Sequence, residues 1–323
     1  MQQLAADPGS GLAPVRGAAR RLAVFAWCVL AYNLAVILWG ALVRATGSGA
    51  GCGGHWPLCN GEVLPQVVAS ATVIEFTHRV MSGVALVLVA ALFAWALRAC
   101  PPRHPARVWA SWSLVFILTE ALLGAALVLL GHVARNESAG RIYSLSAHLI
   151  NTFLLLASLA LTAWAASFPA PAAAARRQLR VRSLLALSAL VVVAIAGAIT
   201  ALGDTLFPAH SLAEGVRDDF ASTAHFLVRL RIVHPALAIA AAGLLLWFAL
   251  PELRFRRTAR LRWLAGSLLA LVVLEVLAGA GNILLRAPLP MQLIHLLIAD
   301  CLWIALVLLA AESARHQPIL RGQ

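Results

Sequence analysis

The sequence predicts an all-α integral membrane protein with eight transmembrane helices. The chain has 323 residues, of which 62% are hydrophobic and 12% charged, and its mean hydropathy is +0.87. A soluble domain cannot bury that much apolar surface. In addition, long apolar runs alternate with short arginine-containing segments along the chain. These observations exclude a soluble globular domain.

The predicted spans are apolar runs of about 18–23 residues, which fit a hydrocarbon core of about 30 Å. The first run is too long for a signal-peptide core, so it is interpreted as a retained span. The eight spans cover residues 22–43, 76–97, 109–131, 145–166, 182–202, 230–250, 263–285 and 290–311.

The arginines predict the orientation of the spans. All 25 basic residues are arginine, and seventeen of them lie in the two tails and in the loops after even-numbered spans. Because basic residues are enriched on the cytoplasmic side, both termini are expected in the cytoplasm. The same distribution explains the net charge of +12 without a nucleic-acid partner.

An internal repeat relates the two halves of the chain. "WGALVRATG" resembles "AGAITALGD", and "TEALLGAAL" resembles "LEVLAGAGN". Four matches in the same order, at nearly constant separation, predict two four-helix bundles related by a pseudo-twofold axis along the membrane normal. The equivalent pairs are Gly40 and Gly197, His78 and His234, Glu120 and Glu275, and His148 and His295.

The repeat also sets the predicted domain boundaries. The N-terminal bundle covers residues 22–166 and the C-terminal bundle residues 182–311. A disordered tail (1–21), a linker (167–181) and a second tail (312–323) are expected in the cytoplasm.

Four of the ten histidines fall within predicted spans, all close to the outer ends. Two imidazoles on facing helices of a bundle can bind the iron of one heme. Zinc would need three or four ligands, and each bundle supplies two. The pattern therefore indicates two heme sites, one formed by His78 and His148 and the other by His234 and His295. The alternative is that each histidine is an ordinary interfacial or core residue.

The residue three positions before the first histidine differs between the halves. In "EFTHR" it is Glu75, and in "RIVHP" it is Arg231. An arginine there suits a heme propionate, whereas a glutamate would repel one and could move a proton or stabilise positive charge. Arg79 is a second propionate candidate. An ion pair between Glu75 and Arg79 at the helix start is the alternative.

The first outer loop, "GSGAGCGGHWPLCNG", contains Cys52 and Cys59. A disulfide is favoured on the oxidising side of a membrane, as a structural staple or a redox-active pair. His55 between them could contact a ligand or lie on the surface. Glu120 and Glu275 near mid-membrane could hydrogen-bond across the bundles or belong to a proton path.

The chain resembles the heme A synthase family from about residue 22 to residue 312. The matching segments are "GALVRATGSGAGC", "HWPLCNG", "EFTHR", "AHLINTFLLL", "LGDTLFPA", "RIVHP" and "IHLLIADCLW". The resemblance implies eight helices in two bundles, with conversion of heme O to heme A by oxidation of the ring carbon 8 methyl to a formyl group. It also implies a location in the inner (plasma) membrane, with the heme sites near its outer face.

The resemblance assigns roles to five of these residues. It implies that His234 and His295 bind a heme b cofactor, that His78 and His148 bind the substrate heme, and that Glu75 is the essential carboxylate. The cysteine pair matches a loop pair found in many members. Expected partners are heme O synthase and cytochrome oxidase assembly factors, with an unidentified electron acceptor or donor. A homo-oligomer is compatible with this assignment.

Two chemical routes and two rival functions stay open at this point. An iron-bound oxidant could hydroxylate the methyl, or electrons could leave the ring and water add to a cationic methylene, with Glu75 stabilising the cation. The alternatives to an enzyme are a two-heme electron carrier and a heme transfer protein. The electron carrier does not explain the exchange of Glu75 for Arg231 or the outer cysteine loop.

Overall fold

The computed structural model describes residues 12–66, 69–168, 181–254 and 258–315, and within these ranges the fold is all-helical. The α-helices are α1 (Leu12–Ala45), α2 (Ser70–Ala99), α3 (Pro105–Leu129), α4 (Ala139–Ser167), α5 (Val181–Leu206), α6 (Leu212–Phe220), α7 (Phe226–Arg229), α8 (Val233–Arg254), α9 (Ala259–Leu284) and α10 (Leu289–Arg315). A single turn of 3₁₀-helix, Leu230–Ile232, joins α7 to α8.

Among the residues that the structure describes, eight segments are long and apolar enough to cross a membrane, which agrees with the predicted number. They are α1 from Arg20 onward, α2, α3, α4, α5, the continuous segment Phe226–Leu253, α9 and α10. Each overlaps one predicted span, so the apolar runs located the membrane-crossing part of every helix.

The ends of the helices differ from the predicted ends. Residues 12–21, assigned to the disordered tail, belong to α1, since alanine, leucine and arginine are strong helix formers. α2 and α4 begin at Ser70 and Ala139, several residues before the predicted starts, because hydropathy marks the part of a helix in lipid and not its first turn. Residues 1–11, 169–180 and 316–323 lie outside the described ranges, and with them most of the predicted tails and linker.

Local capping chemistry explains several helix starts. The Ser138 hydroxyl accepts a hydrogen bond from the N–H of Arg141 at the start of α4, and the Thr258 hydroxyl accepts one from Leu261 at the start of α9. α3 begins with Pro105, which needs no hydrogen-bond partner at that position. These caps satisfy backbone donors that a helix leaves unpaired at its N-terminus.

The long helices pack in two closed sequences of neighbours. α1 contacts α2, α2 contacts α3, α3 contacts α4, and α4 contacts α1. In the same way α5 contacts α8, α8 contacts α9, α9 contacts α10, and α10 contacts α5. The two sets meet through α1 and α4 on one side and α5 and α10 on the other.

The most tightly packed region lies along the C-terminal parts of α4 and α10. There, Trp303 Nε1 donates to the carbonyl of Phe153 at 2.7 Å, and their rings stack with centroids 4.7 Å apart. Trp164 Nε1 donates to Glu312 Oε2 at 3.1 Å. Toward their N-termini the same helices are mostly half-buried. The core is therefore at the end of the helices opposite to His148 and His295.

Replacing Trp303 should destabilise the packing between the two sets of helices. The Trp303→Ala variant would lose a buried ring and a hydrogen bond, and a buried Trp→Ala change costs about 3–5 kcal/mol. Thermal unfolding in detergent micelles measures the effect. Trp263→Ala, at a tryptophan that is 64% exposed, is the control, and equal loss of stability in both variants would contradict this packing role.

Candidate functional site

All four predicted histidines lie in the N-terminal parts of their helices. His78 is on α2, His148 on α4, His234 on α8 and His295 on α10. The imidazole centroids of His234 and His295 are 6.3 Å apart, with their planes inclined at 77°. His78 and His148 are also close enough to interact electrostatically. The structure thus brings the histidines together in the two predicted pairs.

The first histidine of each pair lies against a glycine of the preceding span. A Cβ added at Gly40 would be 3.0 Å from Cε1 of His78, and one added at Gly197 would be 2.9 Å from Cε1 of His234. Both distances are shorter than ordinary van der Waals contact, so any larger residue would displace the ring. The absence of a side chain is what lets each imidazole lie against the backbone.

The second histidine of each pair also faces a glycine. A Cβ at Gly279 would be 3.4 Å from Cε1 of His295, and one at Gly124 would be 4.0 Å from Cε1 of His148. Each of the four rings therefore lies beside a glycine on a neighbouring span. In both halves this glycine is on the span immediately before the one that carries the histidine.

In the first half, a carboxylate lies beside the second histidine. Glu120 Oε1 is 3.5 Å from His148 Nδ1. The Asn151 amide donates to the other carboxylate oxygen, Oε2, at 2.6 Å, and the Thr152 hydroxyl donates to Oε1. Glu120 is thus held by two donors from the helix that carries His148.

In the second half, Glu275 occupies the equivalent position. Its Oε2 is 3.2 Å from His295 Nδ1, at an angle outside that of a hydrogen bond. The other histidine of this pair is His234, whose Nδ1 lies 3.2 Å from the carbonyl oxygen of Val193. The Nδ1 atoms of His295 and His234 therefore face oxygen atoms of α9 and α5, respectively.

Glu75 is buried at the junction of α2 and the first outer loop, with 3% of its surface exposed. Its Oε2 accepts a hydrogen bond from the N–H of Cys52 at 2.8 Å, and its Oε1 accepts from Arg79. Arg79 also donates to the carbonyls of His55 and Leu58, each at 2.7 Å. The ion pair between Glu75 and Arg79, considered above as the alternative, is present and ties the loop to α2. A propionate contact of Arg79 stays a prediction.

The predicted disulfide between Cys52 and Cys59 is present, and both residues are buried. The loop it closes packs on α2 through Thr72, whose hydroxyl donates to the carbonyl of Gly51 at 2.8 Å. The side chain of His55 within the loop is exposed. The disulfide therefore fixes the segment whose backbone contacts Glu75.

Arg231 anchors the corresponding region of the second half. Its Nε is 3.0 Å from Asp204 Oδ1, its Nη1 is 3.8 Å from Asp219 Oδ1, and its Nη2 donates to the carbonyls of Gly203 and Phe207. Burial raises the pKa of the Asp219 carboxyl, and the nearby arginine opposes that rise. The guanidinium joins α5, α6 and the turn before α8. Its contact with a propionate also stays a prediction.

The residues of the second pair fit a heme iron. Two imidazoles bound on opposite sides of one metal ion have centroids roughly 6 Å apart, since each metal–nitrogen bond is about 2.0–2.1 Å, and the second pair has this separation. Within the described ranges, no group of three or more histidine, cysteine or acidic residues could hold a metal ion. A pair of imidazoles can supply both axial ligands of a heme.

The family model described as cytochrome oxidase assembly protein, COX15-CtaA, matches residues 23–307 of this chain. That is nearly all of the membrane-spanning region. The chain belongs to the COX15-CtaA family. Its eight spans and its site residues all lie within the matched segment, apart from the first residues of the first span and the last turns of α10.

Individual relatives of this COX15-CtaA protein carry two different names. A "Protoheme IX farnesyltransferase" of Thermus thermophilus is 47% identical over 301 residues, 91% of this chain and 48% of that protein. A "Heme A synthase" of Geobacillus kaustophilus is 42% identical over 112 residues, 35% of each chain. One of Halalkalibacterium halodurans is 37% identical over 141 residues, 44% of this chain and 47% of that protein. The matched region thus spans about half the length of these relatives, or less.

The supporting roles of the glycines and of Glu120 and Glu275 were not predicted for this COX15-CtaA chain. The repeat aligned Gly40 with Gly197 and Glu120 with Glu275, but it did not indicate what these residues contact. One usable signal was present, since both glutamates are followed four positions later by a glycine. Residues four apart share a helix face, which places each pair toward the same neighbour.

Removing the Arg79 guanidinium should release the first outer loop from α2. The Arg79→Met variant keeps a long side chain and loses the contacts to Glu75, His55 and Leu58. We expect faster amide hydrogen exchange in residues 52–62, measured by mass spectrometry, because local opening becomes less costly. Arg98→Met, at an exposed arginine on the same helix, is the control. Unchanged exchange in the Arg79 variant would rule out this anchoring role.

Proposed function

We propose that this protein is a heme A synthase, which oxidises the ring carbon 8 methyl of heme O to a formyl group and so produces heme A. The main support is that the two halves have similar histidine pairs but different charged residues three positions before the first histidine. This residue is Glu75 in the first half and Arg231 in the second. Relatives that are named heme A synthase support the same activity.

In this proposal, His234 and His295 bind a heme b cofactor, and His78 and His148 bind the substrate heme. A heme b held by His234 and His295 would supply one-electron redox chemistry next to the substrate site. The residues of the protein bind and orient the two hemes and control the charge around them. Glu75 belongs to the substrate site because it precedes His78 by three positions on the same helix face.

We also propose that the two sets of helices, α1–α4 and α5 with α8–α10, are domains related by a pseudo-twofold axis. Repeat-equivalent helices meet each other, α1 with α5 and α4 with α10. Arg44 Nη1 donates to the carbonyl of Ala201 at 2.8 Å across 157 positions, the same separation as between Gly40 and Gly197. A residue can contact its own equivalent only near such an axis, so this contact supports the arrangement.

Glu75 is suited to stabilise positive charge on the substrate ring. Both of its oxygens accept hydrogen bonds, one from Cys52 and one from Arg79, which is the arrangement of a carboxylate. A fixed negative charge in a site with little water stabilises a cation more strongly than it would in bulk solvent. Accepting a proton would require Glu75 to give up part of its pairing with Arg79. We therefore assign it to charge stabilisation first.

The oxidation is balanced when molecular oxygen is the terminal oxidant. The methyl group loses four electrons as it becomes a formyl group, and one oxygen molecule accepts these four electrons. In one route, the formyl oxygen comes from that molecule, and one water is released. In the other, it comes from water, and both atoms of the oxygen molecule end as water. Glu75 has the clearer role in the second route, which passes through a cationic methylene.

The proposed partners follow from the pathway and from the relatives. A protein named as a farnesyltransferase of protoheme IX contains the matched region in about half of its length. This supports a physical association of the present chain with the enzyme that supplies heme O. We propose that both proteins lie in the plasma membrane, with the histidine ends of the helices facing outward, where the positive-inside rule places them.

The same relative gives a second candidate function, farnesyl transfer to protoheme IX by this chain itself. The two candidates make different products from different substrates. Farnesyl transfer converts heme b and farnesyl diphosphate to heme O, whereas the proposed oxidation starts from heme O. Extraction of hemes from suitably supplied membranes therefore separates them.

Loss of Glu75 should abolish conversion without loss of heme binding. The Glu75→Gln variant keeps the size of the side chain and removes its charge, and we expect conversion to fall by about 100-fold or more, as for other groups that stabilise transition-state charge. The chain is co-expressed with a heme O producer, and its hemes are identified by pyridine hemochrome spectra and mass. Glu62→Gln, at an exposed residue of the same loop, is the control.

Three outcomes would contradict the assignments. If the unmodified chain yields no formyl heme, it is a heme carrier and not the proposed enzyme. If it makes heme O from heme b and farnesyl diphosphate, the second candidate replaces the first. If the Glu75 variant converts heme O at the normal rate, Glu75 has no catalytic role.

Filling the space beside His234 should remove heme b. In the Gly197→Ala variant, the new methyl group would lie 2.9 Å from the imidazole and force it to rotate. We expect heme affinity to fall about 10-fold or more, the usual result of disturbing a metal-bound histidine. The heme-to-protein ratio of the purified variant measures this loss.

The control for this substitution is Gly243→Ala, since nothing lies within 4 Å of a Cβ at Gly243. That change adds the same methyl group on a neighbouring helix of the same half. Equal heme content in the two variants would show that the close contact at Gly197 does not control heme binding.

A further inference from the structure

We propose that Glu120 and Glu275 are positioning residues that hold the Nδ1 side of one iron ligand in each site and lower the reduction potential of the heme bound there. This inference rests on the proposed heme binding and goes beyond it. It assigns different electrostatic character to the two histidines of each pair. It also predicts that the glutamate affects the heme more strongly in one site than in the other.

The first observation is that each glutamate and the glycine four positions later form one surface for an imidazole. In the second half, Glu275 Oε2 faces Nδ1 of His295 at 3.2 Å, and Gly279 faces Cε1 of the same ring. In the first half, Glu120 Oε1 is 3.5 Å from His148 Nδ1, and a Cβ at Gly124 would be 4.0 Å from Cε1 of that ring. In both halves the glycine leaves room beside the ring, and the carboxylate lies at its Nδ1 edge without forming a hydrogen bond.

The second observation is that the other histidine of the second pair has a neutral partner in the equivalent place. Nδ1 of His234 faces the carbonyl oxygen of Val193, and Val193 precedes Gly197 by four positions. The spacing is the same as between Glu275 and Gly279. One ligand is therefore backed by a backbone carbonyl and the other by a carboxylate.

This difference has a chemical consequence at the iron. A partner that accepts a hydrogen bond from Nδ1–H fixes the tautomer, so that the opposite nitrogen presents its lone pair to the metal. A carboxylate also draws the Nδ1 proton toward itself and gives the ring partial imidazolate character. A more basic ligand stabilises ferric over ferrous iron, which lowers the reduction potential of the heme.

The two sites should not be affected equally. Glu120 shares its charge with the Asn151 amide and the Thr152 hydroxyl. Within the described residues, Glu275 Oε2 accepts no hydrogen bond, and it lies 3.2 Å from His295 Nδ1. More of its charge is available to His295. We therefore expect Glu275 to have the larger effect on its heme.

A redox titration of the purified full-length protein with bound heme b tests the proposal. Glu275→Gln keeps a hydrogen-bond acceptor and removes the charge. We expect this variant to retain heme b and to favour the ferrous state by about tenfold, a positive shift of about 59 mV for one electron. Its ferric low-spin electron paramagnetic resonance spectrum should also change, since that spectrum reports the basicity and orientation of the axial imidazoles.

Two further variants test the loss of the hydrogen-bond acceptor and the loss of a different buried carboxyl. Glu275→Leu removes the acceptor, and we expect heme affinity to fall about 10-fold or more. Asp300→Asn is the matched control, because this buried carboxyl is on the same helix as His295 and has no hydrogen-bond partner in the described part of the chain. It should leave the resonance spectrum unchanged and shift the potential less than Glu275→Gln does.

The outcomes separate this inference from the proposed function. An unchanged potential and spectrum in Glu275→Gln, or an equal shift in Asp300→Asn, would overturn the positioning role while heme binding stands. If the unmodified chain binds no heme, the proposed function itself fails. If Glu275→Leu does not fold, Glu275→Gln still decides the question. Titration of Glu120→Gln with heme O should show a smaller shift than Glu275→Gln, and a larger one would overturn the proposed inequality.

Discussion

The close approach of an imidazole to a helix backbone is the constraint on which this structure depends. His78 and His234 can occupy that position only because the facing residues, Gly40 and Gly197, have no side chain, and His148 and His295 also lie beside glycines. The glycine fixes which face of its helix turns inward. That orientation in turn determines what lies one turn away, namely Glu120 or Glu275 on two helices and the carbonyl of Val193 on a third.

The most closely packed part of the molecule lies away from the histidines. The tightly packed aromatic contacts lie at the other end of α4 and α10, around Trp303 and Trp164. Toward the histidines the helices are less closely covered. The close packing and the histidine pairs therefore lie at different depths of the helices, and we expect substitutions in the two regions to have different effects.

The charged residues near the starts of α2 and α8 are paired with each other or with the segments that precede these helices. Glu75 and Arg79 form an ion pair and bind the disulfide loop of the first half. Arg231 is balanced by two aspartates and binds carbonyls at the end of α5. Both halves therefore use an arginine at the start of a span to attach an outer loop, although only the first half places a glutamate beside it.

The sequence predicts those features that depend on composition along the chain. Apolar runs located all eight spans, and the repeat indicated which histidines lie near each other, because both signals can be read along the sequence. The role of these histidines as heme ligands stays a prediction. The start of α1 was missed because its first turns are not apolar. The contacts of Glu120 and Glu275 depend on how each helix is rotated about its axis, and no single-helix pattern fixes that rotation. Glu75 and Arg79 lie four apart, so their pairing was within reach of sequence reasoning.

The contact between Arg44 and Ala201 has a consequence for how such a chain can arise by duplication. At the axis between two repeats, an identical sequence would bring two copies of the same side chain face to face. Two guanidinium groups in that buried position would repel each other. With alanine in one repeat, the single guanidinium reaches Thr205 and Gln292 of the other. In the proposed pseudo-twofold arrangement, positions 44 and 201 therefore favour divergence between the two repeats, whatever each one binds.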